Sequence, residues 1–526
     1  MPTKNLFRSS VIITLGMIAC AITAWSQEEP ARSGRFVMVS GGKFIDPAGR
    51  QLLLHGINLV DKSANWSDYA WVDESAYAAM KTWGFNCVRL GFTWASIEPE
   101  PGVYSERSLA EIDKRVAWAK QHGLYVFLDM HQDLFSMKYS DGAPEWATLT
   151  DGKPHVADGK VWSDAYLTSQ AVQTAFDNFY ANKPGPGGVG LQDRYAQAWK
   201  FLAQHYADNP TVIGYDLMNE PFAGSLVAQG MQLFAESLAK EYAAEGTAPA
   251  AMPQWSAPEG RAAILKKLED PQVYARVLDS AQPLYQEFER TKLMALFQCI
   301  TDAIRQVDRN HIIFLETCGS ANMGVYSGIE PMKDAAGERD PLQAYAPHGY
   351  DLVTDTPDAA SASNGRVELI FSRHGETERR LGMPMLVGEW GAYYGNAQAL
   401  PAAQHVCRQL EKLLCGDTYW ALEQNLGQQS VLQALCRPYP MCVPGTLLKY
   451  RADPEARKFI CVWREEAGAR GESQFFIPES FNPAKERIKI TPEGRGCRIE
   501  PIRGSKNVYL MVPSTGQPVE RHLIIE

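Results

Sequence analysis

The sequence has no long basic run, and its formal net charge is −10. That removes the electrostatic footprint of a nucleic-acid binder and gives little support to attachment on anionic lipid. No Gly-rich phosphate turn follows an early strand pattern, which argues against an open doubly wound sheet. No Cys or His spacing matches a zinc site, and no nucleotide motif argues for a cofactor, so neither a metal nor a cofactor is expected. The apolar run at residues 11–24 is too short for a comfortable membrane span. Long internal repeats and low-complexity tracts are also missing.

What is present fits a large globular protein. The 526 residues are too many for one ordinary domain, and the hydrophobic fraction of 45% is that of a soluble protein. Thirteen Trp and 22 Tyr offer faces for sugar rings, although core packing claims most of them. Lys4 and Arg8 precede the apolar run, and Ala24-Trp25-Ser26 offers a small-x-small cleavage site. Residues 1–26 therefore read as a leader, with a secreted or periplasmic protein expected. The alternative is a lipid anchor through Cys20 in Met17-Ile-Ala-Cys20. Of the ten cysteines, Cys87, Cys299 and Cys318 read as buried free thiols. Export permits disulfides among Cys407, Cys415, Cys436 and Cys442, or a bridge from Cys461 to Cys497, but pairing is not legible.

Along the chain, strand and helix patterns alternate. Residues 36–39 and 43–50 read as a hairpin turning at Pro47-Ala48-Gly49, placed to close the bottom of a barrel. Residues 52–58, 85–91, 124–130, 212–218, 311–317, 343–350, 384–391 and 417–423 read as eight strands. Helices are expected at 73–83, 106–122, 191–206 and 288–307. Together these predict an α/β fold, a (β/α)8 TIM barrel over 35–440. Residues 223–285 exceed a plain barrel unit and read as a helical insertion, either a cap over substrate or a stabilising element. Past a short, stiff Arg437-Pro-Tyr-Pro440 connection, alternating segments predict a C-terminal β-sandwich over 444–526.

The chemistry gathers where apolar strands end in polar residues. Pro221 cannot donate to a sheet ladder, so the fourth strand stops beside Asn219 and Glu220. The seventh leads into Glu389. Arg89 ends the second, His131 and Asp133 follow the third, His348 and Tyr350 end the sixth, and Trp420 lies in the eighth. Each alone reads as a solvated rim group. Together they are costly to desolvate unless paired or used. Two glutamates on the C-terminal rim of one barrel are the parts needed to hydrolyse a glycosidic bond.

The set resembles glycoside hydrolase family 5, in its endoglycoceramidase-like branch. The carrying residues are Asp129-Met-His-Gln-Asp133, Asp216-Leu-Met-Asn-Glu-Pro221, Tyr345-Ala-Pro-His-Gly-Tyr350, Gly388-Glu-Trp-Gly391 and Arg437-Pro-Tyr-Pro440. The resemblance implies that Glu220 is the acid/base and Glu389 the nucleophile. It implies that Asn219 meets the sugar 2-hydroxyl, and that Arg89 and Tyr350 orient Glu389. It further implies that His131 and His348 bond sugar and carboxylates, that Trp420 floors the sugar site, and that Lys62, His131 and Asp133 hold the first sugar. A solvated loop lysine is the alternative for Lys62. The implied substrate is a glycolipid cut between sugar and ceramide, with transient contact to a membrane surface or micelle. Trp146, Trp162, Tyr166, Phe176, Phe179 and Tyr180 are then candidates for the lipid side, or for packing of a long loop. Two other readings stay open: a β-glucosidase or endoglucanase on non-lipid or steryl glycosides, and a carbohydrate-binding protein with a dead barrel.

Overall fold

Three short strands lead into the fold: β1 (Met38–Ser40), β2 (Lys43–Ile45) and β3 (Gln51–Leu52). The computed structural model describes residues 34–526 except 158, 160, 248–251, 256 and 493–495; the expected leader and Cys20 lie outside the described residues. β1 pairs with β2 across Gly41 and Gly42, both at positive φ, and Pro47-Ala48-Gly49 turns β2 into β3. The expected hairpin is thus a three-strand meander. Its Val37, Phe44 and Leu52 pack against Leu54, Phe127, Ile213, Ile312 and Phe314, which lie at the bottom of the barrel. The expectation of a floor is met.

The barrel is β4 (His55–Asp61), β5 (Cys87–Thr93), β6 (Tyr125–His131), β7 (Val212–Asp216), β8 (Ile312–Leu315), β9 (Gln343–Tyr345), β10 (Leu386–Gly391) and β11 (Gly416–Trp420). They are buried along nearly their whole length, as parallel strands covered on both faces must be. Their order is β10-β11-β4-β5-β6-β7-β8-β9, and bridges Tyr345–Met385 and His348–Glu389 join the two ends. Residue 52, expected in the first barrel strand, stays in the floor sheet. The Asn86 side chain separates the two by accepting from the His55 N–H (2.8 Å) and donating to the Leu53 carbonyl (2.9 Å).

The helices follow the sequence signals closely. The helix Glu106–His122 starts where the Ser105 hydroxyl accepts from the Ser108 N–H, and ends at Gly123 with φ 69°. Its Leu109, Ile112, Val116 and Ala119 are buried, each large side chain contributing on the order of 1.5–3 kcal/mol. The insertion is helical, as expected: Val227–Ala244, Pro258–Lys267 and Pro271–Phe288. No new helix begins at 288, however. The last of these continues through a π-turn, Glu289–Leu293, into Met294–Arg305. The Glu289 carboxylate accepts from the Cys318 N–H (2.9 Å) and Ser327 Oγ (3.0 Å), which holds the π-turn against the loop after β8.

The C-terminal module is two antiparallel sheets built from β12 (Tyr439–Val443), β13 (Thr446–Asp453), β14 (Lys458–Glu465), β15 (Glu472–Ile477), β16 (Ile488–Thr491), β17 (Arg498–Pro501), β18 (Val508–Pro513) and β19 (Val519–Ile525). One sheet runs β13-β14-β19-β16; the other continues from the floor strands as β1-β2-β3-β12-β15-β18-β17. Residues 439–440 are therefore no linker. They begin a strand that pairs with β3 on one side and β15 on the other. The nine described cysteines are free thiols, which corrects the bridges considered for 407–497; Cys299 is half-buried rather than buried.

Candidate active site

Arg89 is the centre of the cleft. It lies in the middle of β5 rather than at its end, because the strand runs on to Thr93. Fully buried, its guanidinium meets Asp129 (3.0 Å), Asp216 (2.8 Å), Glu316 (2.7 Å) and Glu389 (2.6 Å). It also donates to Asn58 Oδ1 (3.1 Å) and Asn219 Oδ1 (3.0 Å). One cation against four buried carboxylates leaves an excess of negative charge. Two effects relieve it. Burial and the charge of Glu316 hold the Asp216 carboxyl well above its usual range. His348 lies beside the same carboxylates: burial pulls its imidazole down, but Glu316 and Glu389 outweigh that and hold it well above its ordinary value.

His348 ties the two glutamates together. Its Nδ1 lies 2.9 Å from Glu220 and 3.5 Å from Glu389, while Nε2 lies 3.2 Å from Glu316. One oxygen of Glu220, one of Glu389 and a His348 nitrogen all fall within 4.8 Å of one another. Glu220 follows β7 with φ 40°, a left-handed conformation that costs a non-glycine residue energy. Its N–H donates to Glu316 (2.7 Å), and its carboxylate accepts from Asn322 Nδ2 (3.1 Å). Glu389 accepts from Tyr350 Oη (2.9 Å). Burial raises the Glu389 carboxyl, and the positive charges of His348 and Arg89 pull it back toward ionisation.

The sugar-side residues form a second cluster. The His131 ring lies parallel to Trp420, with centroids 5.4 Å apart. Its Nδ1 meets Asp129 (2.8 Å) and its Nε2 lies 3.7 Å from Asp133. Burial lowers this imidazole, but Asp129 outweighs burial and raises it to about 10. Lys62 is no solvated loop lysine. It is paired to Asp133, lies 3.7 Å from Asp141, and sits over the rings of Trp420 (5.0 Å) and Trp162 (5.8 Å). Burial opposes its charge, but the two aspartates hold the ammonium above its ordinary value. Asn219 Nδ2 donates to the Gln132 carbonyl (3.1 Å). All ten residues singled out from the sequence thus join one cleft.

The mouth of the cleft is aromatic, but of the residues expected there Trp162 alone contributes. Tyr166, Phe176, Phe179 and Tyr180 are buried in the barrel's main core, and Trp146 packs edge-on against Trp94. Only Trp162 of that group is open to solvent, 45% exposed. It donates to Asp355 (3.3 Å), which also accepts from the exposed Tyr394 (2.9 Å). Loops after β6, β9 and β10 are thereby joined at the cleft. Among the described residues, three clusters have carboxylate or imidazole atoms close enough to hold a cation: His131-Asp133-Asp141, Glu220-His348-Glu389 and Asp129-Asp216-Glu316. In each a basic side chain already meets the carboxylates: Lys62, His348 and Arg89 respectively.

Residues 45–426 match the family model described as Cellulase (glycosyl hydrolase family 5). The chain belongs to glycosyl hydrolase family 5. Residues 437–524 match the C-terminal domain of the same family. Within family 5 the likeness is to endoglycoceramidases. The chain is 34% identical to an endoglycoceramidase of Cyanea nozakii over 212 residues, 35% of this chain and 41% of that protein's length. It spans the solved endo-glycoceramidase II of Rhodococcus sp. more fully. The lactosyl-enzyme intermediate of that protein aligns at 26% identity and TM-score 0.69, over 92% of this chain and 99% of the other. Its ganglioside GM3 complex aligns at 25% identity and TM-score 0.70, over 93% and 100%.

Proposed function

We propose that this family 5 chain hydrolyses the bond between sugar and ceramide in glycosphingolipids, with retention at the anomeric carbon. The observation that carries the chemistry is the approach of Glu220 and Glu389 to within 4.8 Å across one cleft. Retaining glycosidases place their two carboxyl groups about 5–5.5 Å apart, whereas inverting ones need about 6.5–9.5 Å to admit water. Glu389, aimed by Arg89 and Tyr350, attacks the anomeric carbon. Glu220 gives its proton to the leaving oxygen. A covalent glycosyl-enzyme forms, and Glu220, now a carboxylate, draws a proton from water as that water releases the sugar. His348 spans both glutamates and steadies the charge that passes between them. Asn219, His131, Lys62 and Asp133 bind hydroxyls, with Trp420 beneath the ring.

The lipid part of the reading is supported by the likeness to endoglycoceramidases and by the aromatic mouth. An amphiphile needs a polar pocket beside an apolar wall. Trp162 and Tyr394 supply that wall, and a brief contact with a micelle or membrane surface delivers the substrate. The leader-like residues 1–26 support an exported enzyme. The test is hydrolysis of lactosylceramide and glucosylceramide in detergent beside cellotetraose and an aryl β-glucoside, with products identified by mass. Intact lactose plus ceramide is expected. Activity on cellotetraose or the aryl glucoside with none on lipid would overturn the substrate and leave the two-glutamate chemistry standing.

A further inference from the structure

A cavity of about 320 Å3 lies on the outer wall of the barrel, between the helix Glu74–Thr82 and the loop after β11. Small-molecule sites span ~300–1,000 Å3. The lining includes two indoles, Trp71 and Trp83, with Glu423, Gln424, Asn425 and Gln428. Trp71 is 38% exposed and is braced by Tyr69, whose ring lies 5.6 Å away. Tyr69 Oη in turn donates to the Leu422 carbonyl (3.0 Å), so the two loops that frame the cavity are pinned together.

The lining narrows the class of ligand. It contains no Lys or Arg, so a phosphate or carboxylate finds no counter-charge. Its carboxylates are already engaged: Asp73 caps the helix through the Ser75 N–H (2.8 Å), and Glu423 accepts from Gln429. A lipid chain would strip water from the amides without replacing their hydrogen bonds. Among the described residues, the indole N–H groups of Trp71 and Trp83 and the side-chain amides of Gln424 and Gln428 have no partner within the chain. A flat apolar ring beside unpaired amides suits a neutral pyranose, whose C–H face stacks and whose hydroxyls both donate and accept.

We propose that this groove is a second carbohydrate-binding site, for a neutral oligosaccharide, separate from the catalytic cleft. Leu422 is two residues past Trp420, so its backbone lies within about 7 Å of the cleft floor's. A glycan held there keeps the enzyme at glycan-dense surfaces by raising local concentration.

The test uses the full chain with its cleft covalently filled by 2-deoxy-2-fluorolactosyl fluoride. Intact mass shows whether the label has formed, so a failure of the two-glutamate reading is seen before any titration. Labelled protein is then titrated with cellotetraose by calorimetry and tryptophan fluorescence. Saturable millimolar binding is expected, weakened about tenfold or more by Trp71→Ala and by Gln428→Ala. Gln428 is exposed on a loop, so its variant keeps the test valid if Trp71→Ala fails to fold. No saturable binding to labelled wild type, or equal binding by the folded variants, would overturn the proposal.

Discussion

Arg89 shows why the cleft residues cannot be read one at a time. Its guanidinium is shared among Asp129, Asp216, Glu316 and Glu389, so a change at any one alters the charge balance felt by the others. Glu389 shares that network yet does chemistry, so its variant separates reactivity from folding. Glu389→Gln keeps the side chain's size and should lower kcat/KM by about a thousandfold or more, roughly 4 kcal/mol, with the melting temperature little changed. Glu220→Gln should lose as much on lactosylceramide but far less on a dinitrophenyl glycoside, whose leaving group departs without a proton. Comparable losses on both substrates would remove Glu220 from the acid role. His131 carries a different consequence. Its imidazole rises from an ordinary 6.5 to about 10 in the folded chain. The folded state therefore holds this proton more tightly than the unfolded one. That stabilisation is complete below 6.5 and is lost as pH rises toward 10, on the order of a few kcal/mol. Wild-type melting temperature should fall over that window, and His131→Asn should flatten the fall; an unchanged slope in the variant would show that His131 is not the titrating group.

At the scale of elements, the mouth is a joint between loops, and Asp355 is its pin. Trp162 and Tyr394 come from loops after β6 and β10, and each donates to one oxygen of Asp355. Asp355→Ala frees both rings. KM for lactosylceramide should rise severalfold with kcat nearly unchanged, and Asp355→Asn, which keeps an acceptor, should recover part of the loss. A fall in kcat alone would mean that Asp355 acts on the chemistry rather than on the mouth. This joint was illegible in the sequence, because the three loops lie far apart along the chain and none carries a periodic pattern. The barrel was legible for the opposite reason. Its strands are continuous apolar runs, and a stop such as Gly123 acts locally, although the fourth strand ends at Asp216, before Pro221. Strand starts slipped by one to three residues where a side chain intervened, as Asn86 does before His55. The aromatic loop misled, because composition cannot tell an aromatic that faces a ligand from Phe176 or Phe179, which face the core. Glu316 was passed over although its signal was present: an apolar run, 312–315, leads into a glutamate as the runs before Glu220 and Glu389 do. What makes it matter is the contact with Arg89, 227 positions away, and no local pattern encodes that.

The barrel and the sandwich are stitched together by the segment that follows the barrel. β12 enters the sheet that floors the barrel and continues into the sandwich, so no flexible hinge separates them. Just before it, Arg437 meets Asp417 of β11 at 3.0 Å, and Asp417 also holds His55 of β4 (2.9 Å) and accepts from Trp390 of β10 (3.0 Å). Burial pushes the Asp417 carboxyl up, but His55 and Arg437 outweigh it and lower it to about 2. Trp390 is the neighbour of Glu389, so the seam with the sandwich also supports the strand that carries the nucleophile. The apolar contacts run the same way: Leu53 and Tyr439 share a buried core with Trp463 and Phe475, and Tyr439 Oη donates to the Gly84 carbonyl (2.8 Å). Removing residues 446–526 would bare that core and leave β12 and the floor strands as an open sheet edge, a template for aggregation. The sandwich on this reading covers the barrel and is not an appended binding module. The full chain should therefore unfold in a single calorimetric transition, with loss of activity coinciding with loss of structure, and the chain ended at residue 445 should not yield a soluble, active barrel. Two resolved transitions, or an active truncated barrel, would show instead that the seam is incidental and that the sandwich folds and acts on its own.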